Sequence, residues 1–139
     1  MAHLAVVKAV EARLREHWSH STIRVENDED GLDENGGPVL AMQFPWSRSE
    51  WQTVEGPDGS DFLEEGAFRF VLSIRRGSGT DVARGWLDDL AGAFRGTQFD
   101  GVQTFAPSSP VTDDRNDVAG LYRLSFSVPY EFLIQHKEA

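Results

Sequence analysis

The chain has 139 residues, 40% of them hydrophobic, with nine Phe and four Trp, and a formal net charge of −10. That is enough apolar material for one packed core and too much for a disordered chain. There is no cysteine, which excludes disulfides, thiolate metal sites and cysteine nucleophiles and suits a reducing compartment.

The first stretch, "MAHLAVVKAVEARLREHW", carries a charge every few residues. It lacks the unbroken apolar core of a signal peptide. No run approaches the roughly 18 apolar residues that span a bilayer. A soluble, non-exported protein is expected. Leu4, Val7, Val10, Leu14 and Trp18 recur at spacings of three and four, which predicts an amphipathic helix over 3–18. "TIRVE" is a short strand candidate, and a polar segment then runs to the breaker cluster "NGGP".

"VLAMQF" alternates, with Leu40, Met42 and Phe44 facing one way and Pro45 near its end. "SEWQTVEG" is a weaker strand, and residues 45–63 read as a hairpin-like excursion with "GPDGSD" at its tip. The clearest strand lies in "FLEEGAFRFVLSIRRG", where Phe68, Phe70, Leu72 and Ile74 alternate with polar or smaller residues. A second helix is predicted over 81–95. Thr80 is its candidate N-cap, Asp81 sits in its first turn, and Gly96 stops it. Its apolar set is Val82, Trp86, Leu87, Leu90, Ala93 and Phe94.

"TQFDGVQTF" reads as one short strand and "APSSPVTDDRND" as a loop. "LYRLSFSVPYEFL" is the last strand, with Tyr122, Leu124, Phe126 and Val128 on one face, and Pro129 confines it to an edge or an end. The tail "IQHKEA" is expected to fray. No linker or repeat divides the sequence. The expectation is one α+β domain over 1–139, an antiparallel or mixed sheet of four to five strands with both helices packed on one face.

Charge is unevenly placed. Residues 26–66 hold twelve carboxylates and a single basic residue, Arg48; the rest of the chain has eleven acidic and twelve basic residues. The whole negative excess lies in that segment, which should repel nucleic acid. Sequence-specific DNA binding is not expected.

Within the acidic loop 26–38, Glu26, Asp28 and Asp30 alternate and Gly31 follows, as at the start of an EF-hand calcium loop. The twelfth position, where a bidentate Glu belongs, is Gly37, and the segment leads into a strand rather than a helix. A solvated acidic loop fits better, with a calcium-dependent binding module as the alternative. His3, His17, His20 and His136 show no metal-ligand spacing with a third group. "RRGSGT" could hold a phosphate at a helix start or simply join strand to helix; it has no Walker lysine. No nucleophile motif is present. The reading is not an enzyme, with no catalytic, cofactor or metal residues. Trp46 and Trp51, flanking "SRSE", are either core or interface anchors.

Taken together, "VVKAVEARLREHW", "GPVLAMQF", "FRFVLSIRRGSGT" leading into "DVARGWLDDLAGAFRG", "TQFDGVQTFAPSSP" and the closing "GLYRLSFSVPYEF" resemble the tail terminator proteins of long-tailed bacteriophages and related tailed particles. The likeness runs over nearly the whole chain. The acidic stretch from Glu26 to Asn35 is longer and more charged than that pattern. The resemblance implies a structural virion protein of the tail or neck, made in the host bacterial cytoplasm. It would form a ring, a hexamer by expectation, on the end of the tail tube. The ring would stop tube growth and dock the head–tail connector, with DNA only passing through. Its partners would be its own copies, the tube protein and the connector, with no membrane and no cofactor. Another neck or tail subunit, such as a tube protein or connector, is the alternative. On this reading Glu26, Asp28, Glu29, Asp30, Asp33 and Glu34 line or rim the channel. Trp46, Arg48, Trp51, Asp58 and Asp61 contact a neighbouring subunit or the tube.

Overall fold

The structure, a computed structural model, describes residues 3–24, 37–53, 61–75, 80–113 and 121–135. In chain order the elements are α1 (Leu4–His17), β1 (Thr22–Arg24), β2 (Val39–Thr53), β3 (Asp61–Arg75), α2 (Asp81–Phe94), β4 (Gln98–Phe99), β5 (Val102–Thr104), β6 (Val111–Asp113) and β7 (Leu121–Gln135). The strands form a seven-stranded, strongly curled half-barrel in the order β1-β2-β3-β7-β5-β4, with β6 also on β7. The sheet is mixed because β1 runs parallel to β2; the other pairs are antiparallel.

Three strands of 15 residues carry the architecture. β3 and β7 pair over their full lengths, from Asp61↔Gln135 to Arg75↔Leu121. Alternation sends Phe68, Phe70 and Leu72 of β3, and Leu124, Phe126 and Val128 of β7, to one face, where all are buried. Leu40, Met42 and Phe44 of β2 join them, as their alternation predicts. Both helices lie on this face, since their buried side chains share one core cluster with these strand residues. Phe94 sits at its centre, with its ring 5.1 Å from Phe70 and 5.4 Å from Phe68.

The α+β class and the two helices agree with the sequence. The four to five strands expected become seven, for local reasons. "TQFDGVQTF" is a hairpin, β4 and β5, because Asp100 and Gly101 take φ +46° and +85°. Positive φ at both central residues is what a tight hairpin turn needs. The loop after it contributes β6, which pairs Val111–Asp113 with Ser125–Arg123. The tail does not leave the fold at Ile134, since β7 continues through Gln135.

Pro45, expected near a strand end, and Pro129, expected at an edge or an end, both lie within paired strands. Pro45 sits inside β2, where the register slips between Gln43↔Arg69 and Trp46↔Ala67: three steps on β2 match two on β3. That β-bulge admits a residue without a ladder N–H. Residues 45–53 and 61–63, expected as a hairpin-like excursion, are an antiparallel pair continuous with the main sheet, Thr53↔Asp61 lying at its far end; the tip at 54–60 lies outside the described residues. Pro129 sits in a strand paired on both sides. Its carbonyl accepts the Phe105 N–H at 3.0 Å, and the Phe105 carbonyl takes the N–H of Gly96 at 3.2 Å. Gly96 thus supplies the donor that Pro129 lacks.

The helix stripes are rotated from the predicted ones. α1 buries Val6, Ala9, Val10 and Leu14, leaving Leu4 70% exposed. α2 buries Ala83, Leu87, Leu90, Ala91 and Phe94, leaving Val82 65% exposed. Small alanines let the helices approach the sheet. Thr80 stands at the N-cap without a side-chain capping bond. The other end of α2 is tied down: Thr104 Oγ1, fully buried, donates to the Phe94 carbonyl at 2.6 Å. Arg13 Nε donates to the Ala93 carbonyl at 2.8 Å, with its guanidinium 5.1 Å from the Phe99 ring. Replacing Leu90 by Ala should lower the unfolding free energy by about 2–5 kcal/mol, whereas Val82→Ala should change it by under about 0.5 kcal/mol. Urea unfolding of the two variants checks the rotation; equal losses would contradict it.

Candidate interaction surface

The bulge at Phe44–Pro45 reverses which residues of β2 face the helices. Before it, even-numbered residues point inward; after it, Ser47 lies in the inward row with Gly66 and Tyr130. Trp46 consequently falls on the outer face, 53% exposed. It opens a cross-strand row with Ala67, Pro129 and Phe105, the last also exposed at 44%. The next row holds Arg48, Glu65, Glu131 and Gln103. A shallow cleft of about 290 Å³ lies here, lined by Trp46, Phe105, Pro129 and the carboxylates Glu65 and Glu131 among others. Arg48 bridges Glu65 at 3.3 Å and Glu50 at 3.6 Å. These pairs are exposed and contribute little to folding.

Two aromatics held half in water leave apolar surface exposed in the isolated chain. They are the side chains that most often anchor protein interfaces. The arrangement is therefore suited to binding another surface, with an apolar centre and a charged rim.

Beneath this patch, on the inward side, lies a buried polar network. Glu64 is fully buried. One carboxyl oxygen meets both the backbone N–H and the ring Nδ1 of His3; the other accepts the Tyr130 hydroxyl at 2.5 Å. A carboxyl out of water needs such partners. The network pins the start of α1 to the sheet. Burial, and then the Glu64 carboxyl beside it, push the Tyr130 phenol well above its ordinary pKa, with a hydrogen bond to Ser47 pulling the other way. The phenol crosses Gly66 to reach these partners. A Cβ on Gly66 would meet the Trp46 carbonyl at 2.6 Å and the Tyr130 hydroxyl at 2.9 Å. Only glycine lets the three strands close here.

Of the residues singled out from sequence, Trp46 and Arg48 come together on the outer face. Trp51 and Asp61 lie in β2 and β3, paired with Phe62 and Thr53 respectively; their side chains are outside the described set. Glu26, Asp28, Glu29, Asp30, Asp33, Glu34 and Asp58 all lie outside the described residues. Sequence reasoning missed Phe105, Pro129, Glu131 and Glu64. Glu64 was within reach: it shares parity with Phe68 and Phe70, so the alternation already puts it on the apolar face. The "RRGSGT" turn is described only at Arg75 and Thr80. Trp18 is core as expected, and Trp86 packs edge-on against it at 6.1 Å. His20 stacks on Trp86 at 4.7 Å. Among the described residues no three His, Asp or Glu side chains converge as a metal site. Nor is any described helix long and apolar enough to cross a membrane.

The raised Tyr130 pKa has a pH signature. The folded state holds that proton more tightly, so its stabilising effect is complete below the unfolded value of about 10 and is lost as pH rises beyond it. Unfolding free energy should fall by up to about 1.4 kcal/mol per pH unit above pH ~10. Tyr130→Phe should remove that component while costing about 1–3 kcal/mol at neutral pH, because Glu64 loses a donor. Urea unfolding between pH 7 and about 11 measures both. Identical alkaline slopes in the two proteins would contradict the network.

No protein-family model matches this sequence, and no curated protein matches it.

Proposed function

We propose that the chain is a structural subunit of a tailed particle, a tail terminator that forms a ring, hexameric by expectation, on the end of the tail tube. The ring stops tube polymerisation and presents a docking surface to the head–tail connector. It belongs to the virion neck, performs no catalysis and needs no cofactor. The observation that carries this reading is the exposed Trp46–Phe105 row, set on a rigid three-strand extension, in a chain whose sequence resembles terminators. A ring subunit has a use for such a row, as contact with a neighbouring subunit or the tube.

Charge supports the same reading. DNA must slide through such a ring without being held, and segment 26–66 has one cation against eleven carboxylates besides the buried Glu64. In this proposal part of that segment faces the channel. Arg48, its one cation, is paired with Glu65 and Glu50 of the same segment.

Electron microscopy of the protein mixed with tail tubes of its own particle tests the proposal. Density capping one end of each tube is expected. Incorporation along the tube would instead identify a tube protein, and no association with tubes would overturn the reading. Trp46→Ala should leave the chain folded, with a stability change below about 1 kcal/mol, yet reduce capping at least about tenfold.

A further inference from the structure

β2 is paired along one edge by β3. On its other edge, among the described residues, only β1 pairs with it, at Val39, Leu40 and Ala41. The bulge at Phe44–Pro45 then separates that end from the distal segment 47–51. No described residue pairs with 47–51 on that edge; a strand edge without a partner is a template for another strand, and its side chains decide which strand is accepted.

The side chains here favour a second copy of the same segment. Arg48 and Glu50 lie two apart on the outer face and are well exposed. In an antiparallel pair, residues directly opposite each other point to the same face. Two copies can therefore meet about this centre in three registers. Pairing Arg48 with its own copy sets two guanidiniums together, and pairing Glu50 with its own copy sets two carboxylates together. Only the register centred on Ser49 places Arg48 opposite the partner's Glu50, and it does so twice, by symmetry.

We propose that the free chain forms a two-fold dimer by antiparallel pairing of this β2 edge, with its register chosen by the reciprocal Arg48–Glu50 contacts. The dimer does not depend on the ring reading, and it constrains that reading. Neighbours in a single cyclic ring meet through heterologous contacts, and the two-fold of a hexamer runs down the channel between opposed subunits, so the dimer is a form of the unassembled subunit and opens before a ring closes. Five residues a side bury less than a standard interface of about 1,200 Å², so association is weak and concentration-dependent.

Sedimentation velocity from micromolar to submillimolar protein at low salt reads this directly. The wild type should shift from monomer to dimer with concentration. Arg48→Glu and Glu50→Arg each place like charges opposite one another twice and should weaken association at least about tenfold. The double variant Arg48→Glu/Glu50→Arg should recover it. Circular dichroism and thermal melting establish that all three variants are folded. A wild type that stays monomeric overturns the proposal. So do single reversals that associate like the wild type, or a folded double variant that fails to recover.

Discussion

The pairing of β3 with β7 is the constraint on which the rest depends. Fifteen residues a side make a ladder about 50 Å long, whereas each 14-residue helix is only about 21 Å. Two helices on one face cannot cover such a sheet. The apolar inward residues are concentrated where the helices lie, from Phe68 to Ile74 and from Tyr122 to Val128. Beyond them the chain changes strategy. Tyr130 folds over Gly66, Glu64 is buried against Tyr130 and His3, and the sheet continues as a thin extension supported by hydrogen bonds.

The bulge at Pro45 links that extension to the exposed aromatic row. By inserting one residue it exchanges the two faces of β2, so an indole that regular alternation would bury is turned outward. The same switch sets Arg48 and Glu50 on the outer face and Ser47 within reach of Tyr130. One local irregularity thus creates both the aromatic row and the charged strand edge. β-Bulges commonly have this role of re-aiming side chains near functional surfaces.

How much of this could be read from sequence follows from the kind of signal each feature leaves. Period-two alternation in β2, β3 and β7 was plain where large apolar residues mark the inward positions, from Leu40 to Phe44, Phe68 to Ile74 and Tyr122 to Val128. The helix stripes were less so: Ala83, Ala91 and Ala9 are buried by close approach, and an alanine gives no hint of which side it takes. Val82 and Leu4 looked like core and are exposed. Pro45 and Pro129 read as breakers because a bulge, or a donor lent by Gly96, is decided by tertiary pairing. The outer row was illegible for the same reason. Trp46, Pro129 and Phe105 are far apart in the chain, and only the β2–β3–β7 register aligns them. Glu64 was hidden by its company, since a carboxyl within an acidic run looks solvated until its parity is checked.

The central claim is that the Trp46–Phe105 row is a contact surface in the assembled particle. Radical footprinting read by mass spectrometry, on the free chain and on the chain bound to tail tubes, tests this most directly. Trp46 and Phe105 should be labelled when free and protected when bound, while Leu4 and Val82, more exposed but away from the row, keep their labelling. Unchanged labelling of Trp46 in the bound state would contradict the account.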